Sequence, residues 1–85
     1  MQVERRPVSV GEILEEEFLK PIRVTRERLA EAMGVQCQLV NELCENRCAI
    51  TVDIALMLSR VFDTSAEFWL NLQRRNDRWQ AQHAH

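Results

Sequence analysis

Apolar residues recur along this chain at the spacing of short amphipathic helices, with polar punctuation between them. "SVGE" sets Ser9 three residues before Glu12, a capping box that starts a first helix. Ile13, Leu14, Phe18 and Leu19 form its apolar stripe, and Pro21 closes it. Thr25 is an N-cap candidate for a second helix, "RERLAEAM", whose Leu29, Ala30 and Met33 make one inward face. Gly34 ends that helix as a residue suited to the left-handed conformation. A third helix follows almost at once, from about Gln36 to Asn46, with Val40, Leu43 and Cys44 turned inward. Thr51 caps a fourth helix that carries Ala55, Leu58, Val61 and Phe62 at helical spacing, with Ile54 beside them. Asp63 turns the chain. "TSAE" then reads as a second capping box, Thr64 with Glu67, opening a fifth helix around Phe68, Trp69 and Leu72.

This pattern predicts an all-α domain of five helices over residues 9–75. A flexible polar arm precedes it at 1–8, and a C-terminal extension, helical or frayed, follows at 76–85. The composition agrees. Eighty-five residues fit one small domain, and two Gly, two Pro and no Tyr suit compact helices. No segment approaches the roughly 18 apolar residues of a membrane span. The N-terminal "MQVERRPVSV" has an arginine pair but no apolar run behind it, unlike a secretory signal. Three cysteines, an odd number without framework spacing, argue against structural disulfides and for a reduced cytoplasmic setting.

Charge complicates the functional reading. The formal net charge of −2 disfavours a phosphate-binding protein as a whole. Its distribution is uneven, however. Acid concentrates in "GEILEEEF", where Glu15, Glu16 and Glu17 read as a solvated face suited to the helix dipole. Arginines gather at Arg5 and Arg6, between Arg23 and Arg28, and between Arg74 and Arg78.

Two short helices joined through a glycine are the sequence form of a helix-turn-helix. Ala30 lets the pair pack closely, and Gly34 makes the turn. The start of the third helix then offers base-reading amides at Gln36, Gln38 and Asn41. Arg47, Thr25 and Arg26 are placed to reach phosphates. Helix pairs with a glycine turn are also common in all-helical proteins that bind no DNA, so the pattern alone leaves both readings open.

The pieces "GEILEEEFL", "LAEAMGV", "VNEL", "ITVDIALMLSR" and above all "TSAEFWLNLQ" resemble the HigA (VapI-like) antitoxins of bacterial toxin–antitoxin systems, over roughly residues 8–75. The resemblance implies a lambda-repressor-like fold, a homodimer, and binding to a palindromic operator that controls the protein's own operon. It implies a HigB-like toxin as partner, a small RelE-like ribonuclease that cleaves mRNA on the ribosome. It implies neither enzymatic activity nor a cofactor. By position, the family's base-reading surface falls on Gln36, Cys37, Gln38, Leu39 and Asn41, with Arg47 just beyond. The family often carries basic residues where this chain has Cys37, Leu39 and Cys48, so the departures bear on operator sequence and affinity.

The remaining chemistry-bearing residues give no second site. Cys44 reads as core filler. Cys37, in the first turn of helix three, is the one candidate reactive thiol, and Cys48 falls beyond the helix. Zinc needs about four ligands at workable spacing, and the only histidines, His83 and His85, lie in the tail. Asp53 reads as a first-turn acid favoured by the dipole. Phe68, Trp69, Leu72 and Trp79 are candidates for a dimer or partner interface, with core packing as the alternative for the first three. Two other functions stay open: a stand-alone or phage-type repressor without a toxin, and an interaction module of the same fold that has lost DNA binding.

Overall fold

The computed structural model of the chain describes residues 7–83. The expected arm at 1–8 therefore lies mostly outside the described residues, as does His85. All regular structure among the described residues is helical. Helix α1 (Val10–Ile13) runs on as a π-helical segment (Leu14–Leu19), followed by α2 (Arg26–Met33), α3 (Cys37–Cys44), α4 (Val52–Phe62) and α5 (Ala66–His83).

The caps explain most of these boundaries. Ser9 Oγ accepts from Glu12 N at 3.1 Å and donates to Glu12 Oε1 at 3.2 Å. Thr25 Oγ1 accepts from Arg28 N, and Thr51 Oγ1 accepts from Ile54 N. Each bond satisfies one amide that the first helical turn leaves without a partner. Gly34 closes α2 at φ 73°, which costs a residue without Cβ little. Asp63 closes α4 at φ 54°.

Three local details differ from the sequence expectation. The first helix changes pitch after Ile13, and Lys20 N donates to Glu15 O at 2.9 Å. On an α-helix Leu14 and Leu19 would diverge by roughly 140°. Bonding from i to i+5 brings them onto one side, and both are buried. Helix three stops at Cys44 rather than Asn46. Glu45 is its C-cap, and Asn46 takes φ 60°, a left-handed conformation that asparagine tolerates. The fifth helix is capped one residue later than expected. Ser65 Oγ accepts from Phe68 N at 3.1 Å, while Thr64 Oγ1 accepts from the Trp69 indole Nε1 at 2.8 Å. Buried in an apolar core, that indole N–H needs an acceptor, and Thr64 is the hydroxyl it uses.

The core runs through all five helices: Val10, Leu14 and Leu19; Leu29, Ala30 and Met33; Val40, Leu43 and Cys44; Ile54, Ala55 and Leu58; Trp69 and Leu72, with Ile50 from the α3–α4 loop. The inward faces expected for α2 and α3 are buried as expected. In α4, Ile54, Ala55 and Leu58 are buried and Val61 and Phe62 half-buried. Helix α2 packs on α3, α4 on α5, and α1 on both α3 and α5. Helix α5 is continuous through residues 76–83, so the C-terminal extension is helical as far as His83. No helix among the described residues is long and apolar enough to cross a membrane.

Candidate nucleic-acid interface

The α2–α3 pair and the segment after α3 carry the residues that could meet a nucleic acid. Gln36 is the N-cap of α3, but its side chain makes no capping bond and is exposed. Its carboxamide is therefore available to an outside partner. Gln38 is also exposed. Cys37, Leu39 and Asn41 are half-buried, and the first two pack against the rim of the core. Thr25 holds the α2 cap by accepting Arg28 N, which leaves its hydroxyl proton for an external acceptor.

Arg26 is not a free cation. Its Nε donates to Glu15 Oε1 at 2.6 Å, and its Nη1 donates to Asn41 Oδ1 at 3.1 Å. The same Nη1 lies 3.5 Å from Glu45 Oε2. Arg47, although 74% exposed, has its Nε 3.4 Å from Glu45 Oε1. Glu15, expected to share a solvated face with Glu16 and Glu17, instead points at α2 because its helix crosses the start of that helix. Arg23 and Arg28 are exposed and have no ion pair among the described residues. Two carboxylates thus neutralise much of the positive charge beside α3.

The network sets the titration behaviour of its members. The hydrogen bond from Arg26 holds the Glu15 carboxyl below its ordinary value of 4.5, helped by the Cys44 thiol and opposed by partial burial. Glu15 in turn raises Arg26. Burial pushes the Cys44 thiol up to about 12, and burial also raises Cys48. Two of the three cysteines are thus kept as thiols. Cys48 lies outside α3, and no group of metal-ligating side chains forms among the described residues.

Glu15 gives a prediction of definite sign. Its folded value lies below its unfolded value, so the contribution is complete above about 4.5 and is lost as pH falls through the folded value. Wild type should exceed Glu15→Gln in urea midpoint at neutral pH, and the gap should close below pH 4.5. A gap independent of pH would show that the carboxylate charge is not what Arg26 uses.

The candidate interface residues of α5 separate into two groups. Trp69 and Leu72 are core residues of the single chain, 0% and 5% exposed, and are removed from any interface set. Their face of α5 is the one that packs onto α1 and α4. Phe68 is at the surface, 37% exposed, with its ring edge-on to Trp69. Trp79 is half-buried and stacks on His83 at 4.0 Å, while His83 Nδ1 donates to Trp79 O.

Two functional contributors were not singled out in the sequence. Glu45 joins Arg26 to Arg47. Asn46 ties α3 to α1, with its Oδ1 accepting Gly11 N at 2.9 Å and its Nδ2 donating to Ser9 Oγ at 3.0 Å. An asparagine just past an apolar helical run is a helix-stop signal, so the φ of Asn46 was legible, although its distant partners were not.

No protein-family model matches the chain. Relatives nonetheless align with nearly all of it. An uncharacterised HTH-type transcriptional regulator of Haemophilus influenzae is 46% identical over 79 residues, covering 93% of this chain and 74% of that protein. Antitoxin HigA-1 of Vibrio cholerae is 45% identical over 78 residues, covering 92% and 74%. This chain belongs to the HigA (VapI-like) antitoxin family. The structure of Pseudomonas aeruginosa antitoxin HigA with the higBA promoter superposes with a TM-score of 0.89 at 40% identity, covering 93% of this chain and 86% of that one. The five-helix HigA fold thus extends over almost the entire chain. The family is one of antitoxins and helix-turn-helix regulators, not of enzymes.

Proposed function

We propose that this HigA-family chain acts as a dimer that binds operator DNA, represses its own operon and neutralises a HigB-like, mRNA-cleaving toxin. The observation that carries the DNA part is the exposed carboxamide pair of Gln36 and Gln38 at the start of α3, on a helix pair superposable on a HigA structure solved with promoter DNA. Helix α3 would lie in the major groove, with Gln36, Gln38 and Asn41 toward base edges and Cys37 and Leu39 making apolar contact, for example with a thymine methyl. Thr25, Arg23, Arg28 and Arg47 would meet phosphates. A dimer would set two copies of α3 about one DNA turn, ~34 Å, apart on a palindromic site. Family membership supports the toxin part.

The thin basic surface gives this reading a quantitative test. Three phosphate contacts per protomer correspond to a log–log salt slope of roughly −5 for a dimer. Gel shifts with the DNA upstream of the gene, over a salt series, should show specific binding with a slope of that size. No specific shift at low salt would rule out operator binding. Co-expression with the adjacent open reading frame tests the toxin part. The neighbour should arrest growth alone and not beside this chain. A harmless neighbour, or one equally toxic with this chain present, would leave a repressor without a toxin.

A further inference from the structure

Arg26 and Asn41 make one unit in this fold. Arginine has five donors and no acceptor, so the Asn41 atom facing Arg26 Nη1 at 3.1 Å must be the carbonyl Oδ1. The orientation of that carboxamide is therefore fixed by chemistry. The guanidinium is fixed in turn. Its Nε bonds Glu15 at 2.6 Å and its Nη1 also faces Glu45 at 3.5 Å, so π segment, α2 and α3 all hold it. The Cys44 thiol bonds the same Glu15 carboxylate from the core side. Asn41 Nδ2, by contrast, has no hydrogen-bond partner among the described residues.

We propose that Arg26 is a positioning residue that turns Asn41 into a donor-only reader, directed at guanine in the major groove. The inference rests on the operator-binding reading above. A free asparagine pairs with adenine in bidentate fashion, accepting from N6 through Oδ1 and donating to N7 through Nδ2. Here Oδ1 is engaged by the guanidinium, and Nδ2 keeps both protons. Guanine presents two acceptors, N7 and O6, to such a group, whereas cytosine presents a donor. The Arg26 fork spans a carboxylate and an amide at once, and lysine cannot reproduce that bridge.

The test uses the full-length protein and a randomised duplex DNA library. The Asn41→Ala variant identifies the base pair that residue reads, by loss of preference at one position. Wild type should select guanine there, with at least about tenfold discrimination against cytosine. Arg26→Met and Arg26→Lys should both shift that position toward adenine, and Arg26→Met should leave the salt slope unchanged. A slope reduced by about 0.9 in Arg26→Met and restored in Arg26→Lys would make Arg26 a phosphate contact and overturn the proposal. Selection of adenine by wild type would also overturn it. The clamp has a readout without DNA. In the free protein, the Asn41 side-chain amide resonances should move in Arg26→Met while the other amide signals keep their dispersion. Unmoved resonances would refute the clamp itself. Absence of any sequence selection by wild type, with the resonances moved, would instead refute the operator reading and the guanine assignment with it.

Discussion

Gly11→Ala is expected to destabilise the domain by about 3 kcal/mol, the upper end of the usual cost of overpacking. A Cβ on Gly11 would lie 2.2 Å from Cys44 O, 2.7 Å from Cys44 C and 2.9 Å from Leu43 O. All three are backbone atoms, so no side chain can swing aside. Relief requires the start of α1 to separate from the end of α3. That movement would also stretch the bond from Gly11 N to Asn46 Oδ1 and the one from Asn46 Nδ2 to Ser9 Oγ. For a domain of this size each kcal/mol lowers the melting temperature by roughly 4–8 °C. A fall well above 10 °C should be seen by circular dichroism.

Asn46→Ala supplies the comparison. It removes the side-chain ties but leaves the close approach intact, and should cost about 1–3 kcal/mol. The double variant should lose less than the two single losses together, because both act on the same junction. A Gly11→Ala variant within about 1 kcal/mol of wild type would show that the junction relaxes easily. The consequence for function follows from geometry. Helix α3 is the proposed reading helix, and its C-terminal end is fixed by this junction. Gly11→Ala should therefore weaken DNA binding even at temperatures where the variant is folded.

The sequence carried the helices, their inward faces and most of their caps, because each depends on residues within one or two turns. Thr25, Gly34, Thr51 and Asp63 are local decisions and were readable as such. What was not readable depends on distant partners. Glu15 looks solvated in a run of three glutamates, and only the crossing of the π segment over α2 brings Arg26 to it. Thr64 and Ser65 are both good caps by type. The choice between them is made by the Trp69 indole, which takes the Thr64 hydroxyl. Gly11 lies inside a capping box and gives no local sign that α3 passes against it. The reading surface was legible as residue types on α3, whereas the engagement of Asn41 by Arg26 was not.

Trp69→Ala is the second large expected effect, and it separates core from interface. The side chain is fully buried in the single chain. Its ring lies 5.0 Å from Phe18, 5.0 Å from Phe68 and 6.2 Å from Phe62, and its Nε1 donates to Thr64. Truncation removes the largest of the fully buried side chains and should cost about 3–5 kcal/mol. Total stability of a small domain is about 5–15 kcal/mol, so the variant should be largely unfolded near 37 °C. Trp69→Phe keeps most of the ring and loses one hydrogen bond, about 1 kcal/mol, since the half-buried Thr64 hydroxyl can turn toward water. If Trp69 instead served mainly between protomers, Trp69→Ala would give folded monomers with native helicity. Circular dichroism and sedimentation across a concentration series distinguish the two outcomes. Loss of helicity at every concentration is expected. Retained helicity with dissociation would move Trp69 from the core to the dimer contact. Phe68, exposed on the next position of α5, should behave in the opposite way, with Phe68→Ala melting within a few °C of wild type.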